Sequence, residues 1–204
     1  MLKKIIEEFN LKESDILNVY RYGSKVYKSD NETSDQDFII IFKNGTVKDE
    51  FAVTRGDISV HMYQHSSFQD LVTRHKITAL EMCFLPKQFV LKEDKPFNCK
   101  IDLQKLRSTI SEKASHSFVK AKKKIIVEKD RDLYISKKSL FHSLRIIEFG
   151  IQMAKHNRIT DYSAANDIWI DIYTDPSTDW EHYHEKFKPI FNSKMSDFRE
   201  LAPK

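Results

Sequence analysis

The chain changes its pattern once, near residue 101, and this change constrains the fold more than any other feature. Before it, short apolar stretches alternate with turn residues, which is typical of strands. After it, two long segments without proline, 101–130 and 136–158, have apolar residues at helical spacing. We therefore predict an α+β fold, with a small mixed or antiparallel sheet and flanking helices over residues 1–100 and an all-helical part over residues 101–204.

The N-terminal half contains several short elements. Residues 1–10 place Leu2, Ile5, Ile6 and Phe9 on one helical face. Strands are predicted at 15–22, 36–42 and 57–64, and a helix at 66–75. The stretch 36–42, QDFIIIF, is apolar on both faces, which predicts a strand covered on both sides. It ends at Asn44-Gly45, a pair that favours a hairpin to the next strand.

Charge is distributed unevenly along the chain. The net charge is only +4, but residues 104–158 contain 14 Lys and Arg against 5 Asp and Glu. A basic segment of this kind suits a polyanionic ligand such as a nucleotide or RNA, whereas a solvated helix face is the alternative interpretation. No stretch has the length of a signal peptide or of a membrane span, and the two cysteines lack metal-ligand spacing, so we expect a cytoplasmic protein without a membrane partner.

A glycine turn and three acids form the candidate site. Gly23-Ser24 follows a predicted strand, so backbone N–H groups and the Ser24 hydroxyl are available to bind a phosphate. Asp35 and Asp37 are two residues apart, a spacing that points both side chains to one face of a strand, and Asp57 opens a later strand. Carboxylates beside a phosphate-binding turn suit Mg²⁺, although an Asp-x-Asp pair is also common in solvated turns.

These residues resemble the signature of the DNA polymerase beta-type nucleotidyltransferase superfamily. That signature has Gly-Ser at a strand-helix junction, Asp-x-Asp on the next strand and a third Asp on a later one. The stretches DISVHMYQHSSFQDLV and ITALEMCFLP, with its E-x-x-F, and the helical KKSLFHSLRIIEFG are similar to the minimal nucleotidyltransferase branch. The resemblance covers about residues 18–160. It implies a polymerase beta-like catalytic core over 1–100 and a helical domain over 101–204 that closes the nucleotide and acceptor cleft.

The resemblance also implies roles for individual residues. Asp35 and Asp37 are expected to hold two Mg²⁺ ions, with Mn²⁺ as a substitute, and Asp57 to complete the catalytic site as a ligand or base. Nucleotide binding is expected from Gly23, Ser24, Lys25, Lys138, His142 and Arg145. The family often has Arg where this chain has Lys25, which keeps the charge but not the planar fork.

The helical residues of this set share a face. Lys138, His142 and Arg145 are spaced four and three apart, so one side of a helix presents all three. A half-buried histidine that serves only packing is the alternative for His142. Lys120, Lys122, Lys123 and Lys124 surround their helix and cannot all face one groove. They form a solvated face or, alternatively, contact RNA.

The expected activity is metal-dependent transfer of a nucleoside monophosphate, AMP from ATP in the first instance, to an acceptor hydroxyl with release of pyrophosphate. The acceptor is an RNA or tRNA 3′ end, a protein side chain or a small molecule. The alternative is an antitoxin or regulatory module of the same fold that binds a nucleotide or a partner without turnover.

Overall fold

A computed structural model describes residues 1–32, 34–48 and 50–204. The chain forms two compact units, Met1–Lys100 and Ile101–Lys204. The first unit is a mixed sheet with helices and the second is helical, so the predicted α+β class is confirmed. The roles expected of the two units, a catalytic core and a helical domain that closes a cleft, stay predictions.

The first unit is built on a five-stranded sheet. Its strands are β1 (Ile16–Tyr22), β2 (Gln36–Phe42), β3 (Glu50–Arg55), β4 (Ile58–Gln64) and β5 (Val90–Glu93). Their order across the sheet is β3-β4-β2-β1-β5. β2 and β4 are parallel, whereas the other neighbouring pairs are antiparallel. Four short helices accompany them: α1 (Leu2–Glu8), α2 (Ser24–Tyr27), α3 (His65–Thr73) and α4 (Ile77–Cys83).

The central strand β2 is covered on both faces, as its sequence predicts. Phe38 to Phe42 are all buried. On one face, Phe38 and Ile40 belong to a core cluster with Ile5 and Phe9 of the α1 segment. On the other face, α3 packs against β2 and β4. Continuous apolar sequence is needed because neither face of this strand meets water.

The prediction that Asn44-Gly45 forms a hairpin between β2 and the next strand is wrong. The strand that follows this pair, β3, is hydrogen-bonded to β4 and not to β2. The hairpin forms instead between β3 and β4, through the two-residue loop Gly56-Asp57, where Gly56 has a φ of 54°. A glycine with positive φ is what such a short loop requires. β3 itself was missed because most of its side chains are exposed and give no apolar alternation.

The second unit contains four helices, α5 (Leu103–Ile126), α6 (Leu133–His156), α7 (Asn166–Thr174) and α8 (Trp180–Leu201). α5 and α6 pack along their length, and α8 packs on both. At Gly150 the two long helices approach so closely that an added Cβ would lie 2.9 Å from Ile110 Cγ2. In the described part of the chain, no helix is both long and apolar enough to cross a membrane.

Candidate nucleotide and metal site

The turn at Gly23 lies against the carboxylate of Asp37. Gly23 is the N-cap residue of α2, with φ 79° and ψ −157°. Residues other than glycine essentially never adopt this backbone conformation. A Cβ added to Gly23 would lie 2.2 Å from Asp37 Oδ2. Two independent constraints, the backbone conformation and the approach of Asp37, therefore require glycine here.

The neighbouring predicted residues lie around this contact. Ser24 is the first residue of α2 and is buried, whereas Lys25 is partly exposed and its Nζ pairs with Asp30 Oδ2 at 3.4 Å. Asp35 immediately precedes β2 and is exposed. Because side chains alternate along an extended chain, Asp35 and Asp37 point to the same side of the sheet. The structure thus brings Gly23 to Asp37 and leaves Asp35 open to ligands at the end of the strand.

Asp57 is placed differently from the other two acids. It is the second residue of the β3-β4 hairpin loop, its Oδ2 accepts a hydrogen bond from Gln36 Nε2 at 2.7 Å, and its Oδ1 lies 3.7 Å from Lys4 Nζ. Gln36 lies between Asp35 and Asp37 in sequence, so its side chain points to the opposite face of β2. The hydrogen bond from Gln36, followed by the charge of Lys4, lowers the pKa of Asp57.

The structure therefore does not bring Asp57 to the Asp35 and Asp37 pair. The position opposite Asp37 on the parallel strand β4 is Ser59. Over residues 1–32, 34–48 and 50–204, no three His, Cys, Asp or Glu side chains are grouped so as to hold a metal ion. Mg²⁺ commonly uses one or two carboxylates and completes its shell with water and substrate phosphates. Asp35 and Asp37 fit that smaller requirement, and the role of Asp57 as a third ligand stays a prediction that its position does not support.

Two aromatic residues, Tyr22 and His61, lie near Asp37 on the sheet. Tyr22 of β1 is the antiparallel partner of Asp37, and its ring meets that of His61 of β4 edge to face, with centroids 5.8 Å apart. Burial, followed by the negative charge of Asp37, raises the pKa of the Tyr22 hydroxyl well above its usual value. Tyr22 therefore stays protonated and keeps a hydrogen-bond donor beside the carboxylate. The sequence did not predict Tyr22 as a site residue, although it directly precedes Gly23 at the end of β1.

A buried hydrogen bond ties the glycine turn to α4. The hydroxyl of Tyr27, the last residue of α2, donates to Glu81 Oε2 at 2.5 Å. Tyr27 is 4% exposed and Glu81 only 2%. A carboxylate this deep in an apolar helix is costly unless it is hydrogen-bonded, so the bond is a structural requirement of α4. The sequence analysis includes Glu81 as the acid of the E-x-x-F stretch, but the sequence does not predict that Tyr27 of α2 is its hydrogen-bond partner.

The helical residues of the predicted set lie in the second unit, on one side of α6. Lys138 is positioned over the ring of Tyr134 (5.6 Å) and Arg145 over that of Phe149 (5.0 Å). Arg145 is buried and His142 half-buried. Burial, followed by the positive charge of Arg145, holds the pKa of His142 well below its usual value, so its imidazole is neutral near pH 7.

No protein-family model matches the chain, and no curated protein matches it. Among solved structures, the chain is similar to proteins of the nucleotidyltransferase class. One is a nucleotidyltransferase-like protein from Exiguobacterium sibiricum, at 10% identity and a TM-score of 0.34, with 98% of this chain and 72% of that chain covered.

A second solved structure is spectinomycin adenyltransferase AAD(9) from Enterococcus faecialis with ATP and spectinomycin. Its identity to this chain is 11% and the TM-score 0.44, with 97% of this chain and 96% of that chain covered.

Proposed function

We propose that the protein is a nucleotidyltransferase that moves a nucleoside monophosphate, AMP from ATP in the first instance, to an acceptor hydroxyl. The observation that carries this proposal is the contact between Gly23 and Asp37. This contact supports the proposal because a glycine turn of the kind that can bind phosphate adjoins a carboxylate of the kind that can bind Mg²⁺, and Asp35 directly precedes the same strand.

The side chains have separate tasks in this proposal. The backbone of Gly23 and the hydroxyl of Ser24 bind triphosphate oxygens, and Lys25 adds a positive charge beside them. Asp35 and Asp37 are the residues that would hold Mg²⁺ or Mn²⁺. When bound, the ion neutralises phosphate charge and favours ionisation of the acceptor hydroxyl. Nucleotide binding by Lys138, His142 and Arg145, which lie in the second unit, stays a prediction from the sequence. The hydroxyl of Tyr22, the strand partner of Asp37, is available to donate a hydrogen bond to a bound ligand.

The reaction is a direct displacement at the α-phosphorus. The acceptor oxygen forms a bond to this phosphorus, the bond to the oxygen bridging to the β-phosphate breaks, and pyrophosphate leaves. The sequence assigns the role of base to Asp57, but its carboxylate is engaged by Gln36 and Lys4. We therefore propose that the acceptor proton passes to solvent water and that transfer survives replacement of Asp57.

One observation favours a second candidate. No third carboxylate joins Asp35 and Asp37 among the described residues, so the site also suits a module that binds a metal-nucleotide complex without turnover. Such a module needs the turn and the pair but not a base.

The experiment that tests the proposal supplies nucleoside triphosphates labelled at the α-phosphate, Mg²⁺ or Mn²⁺, and total RNA or cell lysate as acceptor. Label transfer that disappears in Asp37→Asn and persists in Asp57→Asn supports the enzyme. Stabilisation by Mg²⁺ and ATP without label in any fraction favours the binding module. The absence of both effects contradicts both candidates.

A further inference from the structure

A cleft of about 710 Å³ opens between α5 and the C-terminal end of α8, within the second unit. Among the described residues that line it there is no Asp or Glu, whereas two arginines, a lysine, two serines and a glutamine are present. The lining residues are Gln104, Arg107, Ser108, Ser111, Arg199 and Lys204. A concave space with cationic and hydroxyl groups favours a ligand that is both anionic and polar.

The guanidinium group of Arg107 is fixed at one wall of this cleft. Its Nη1 donates to the backbone carbonyls of Arg199 and Ala202, both at 2.6 Å. Ala202 directly follows α8, so these bonds satisfy carbonyls at the end of that helix. The remaining N–H donors of Arg107, on Nε and Nη2, have no acceptor among the residues that the structure describes. A group that is already fixed loses little side-chain freedom when these donors bind a ligand.

Arg199 brings a second guanidinium group to the same cleft. It belongs to the last turn of α8 and is exposed. Over residues 1–32, 34–48 and 50–204, neither Arg107 nor Arg199 forms an ion pair with a carboxylate. Both arginines complement the negative end of the α8 dipole, but that role does not require a cleft. The cleft is what makes these two charges accessible to a ligand.

The uncharged lining groups suit the body of a ligand rather than its charge. Gln104 and Ser108 are four residues apart on α5, so they lie on one side of that helix, and both are exposed. The Ser111 hydroxyl donates to Met195 Sδ at 3.6 Å, and because a thioether is a weak acceptor, a ligand oxygen can replace it. Hydroxyl and amide groups both donate and accept hydrogen bonds, so they match a ligand that carries hydroxyl groups.

The charge and the size of the cleft define the class of ligand. A phosphate monoester carries a charge of about −1.5 to −2 at pH 7, and the planar fork of arginine matches its oxygens. The volume lies within the range of about 300–1,000 Å³ that is typical of small-molecule sites, so the cleft holds more than a single phosphate ion. We propose that the cleft between α5 and α8 binds the phosphate monoester of a hydroxyl-bearing small molecule, the class to which sugar phosphates belong. This binding does not rest on the proposed nucleotide transfer.

The test measures the affinity of the full chain for glucose 6-phosphate by isothermal titration calorimetry, with glucose and inorganic phosphate as comparison probes. The ester is expected to bind roughly tenfold more tightly than either comparison probe, because it alone uses the arginines and the hydroxyl groups together.

Two exposed arginines provide a matched pair of variants. Arg199→Gln is expected to weaken binding of glucose 6-phosphate roughly tenfold to a hundredfold, because charge-assisted hydrogen bonds to the phosphate are lost. Arg158→Gln removes the same charge from the same unit at a position that does not line the cleft, so the affinity is expected to stay unchanged. Arg107→Lys keeps the charge but loses the fork, and weaker binding is expected there too. Melting temperatures establish that the variants are folded.

Each of four results overturns the proposal. Glucose 6-phosphate does not bind at millimolar concentrations, or glucose or inorganic phosphate binds as tightly as the ester. Alternatively, Arg199→Gln binds the ester as the wild-type chain or Arg158→Gln does, or Mg²⁺ with ATP displaces the ester, which places it in the nucleotide site. Failure of the proposed function is recognised separately, because the wild-type chain then binds the ester in the cleft but transfers no label.

Discussion

Asp37 Oδ2 occupies the space into which a side chain of residue 23 would project, 2.2 Å from where a Cβ on Gly23 would lie. The carboxylate that is proposed to hold the metal and the turn that is proposed to bind phosphate are therefore one packed unit. A side chain at residue 23 would need the space that this carboxylate fills, so the turn and the carboxylate can adjoin only because residue 23 is glycine.

Gly23→Ala is predicted to destabilise the chain by about 2–4 kcal/mol, since it combines a forbidden backbone conformation with a steric conflict. Gly45→Ala is the matched control. Gly45 has a similar φ of 81°, but an added Cβ meets nothing within 4 Å, so we expect a loss of only about 1 kcal/mol. Urea denaturation of both variants checks the difference. Equal losses would show that the contact with Asp37 contributes nothing.

Combining Gly23→Ala with Asp37→Ala is predicted to cost less than the sum of the two single changes. Truncation of Asp37 removes the oxygen nearest to the new Cβ, so part of the conflict is relieved. The coupling free energy from a double-mutant cycle measures this relief. Strict additivity would place the two residues out of contact and would contradict the geometry of the site.

Tyr27→Phe is predicted to lower the free energy of unfolding by about 1–3 kcal/mol, because it removes the hydrogen bond that Glu81 accepts in a buried position. Glu81→Gln, which keeps an acceptor oxygen for the Tyr27 hydroxyl, is expected to cost less. Chemical denaturation of the two variants provides the comparison. If Tyr27→Phe proves neutral, the bond does not hold α2 to α4.

Asp57→Asn is predicted to leave nucleotide transfer intact while changing the acid dependence of stability. The bond from Gln36 and the charge of Lys4 lower the folded-state pKa of Asp57, so its contribution to stability is present above the unfolded pKa and is lost as pH falls through the folded pKa. Denaturation of wild type and variant at pH 6 and about pH 3 tests this sign. Loss of transfer in Asp57→Asn would return Asp57 to the catalytic site.

Acid is also predicted to weaken the second unit at Asp175. Burial raises the pKa of this carboxyl, but hydrogen bonds from His182, the Ser177 amide and Lys186 outweigh burial and lower the pKa to about 2. The stability that these bonds provide is therefore complete above about pH 4 and lost as pH falls towards 2. Asp175→Asn should flatten the dependence of unfolding free energy on pH over this interval. An unchanged slope would show that Asp175 does not titrate as the hydrogen bonds require.

The approach of Gly23 to Asp37 was predictable from the sequence because it depends on adjacent segments. Gly23 and Asp37 belong to consecutive elements, β1 with its turn and β2, which pair as neighbours in the sheet. The position of Asp57 could not be predicted from the sequence because its direction depends on β3, an exposed strand without apolar alternation. Because β3 pairs with β4, Asp57 lies in the hairpin loop between them, where its carboxylate meets Gln36. The residues next to Asp57 in the sequence do not predict this pairing.

The sequence by itself determined the class of fold, the doubly covered strand β2 and the two long helices, because periodicity and turn residues act over a few residues of chain. Only the tertiary structure decided the order of the strands, the separation of Asp57 from Asp37, the bond between Tyr27 and Glu81, and the close approach of α5 and α6 at Gly150. Each of these joins segments that are distant in sequence, and such contacts are set by how whole faces pack rather than by local preference.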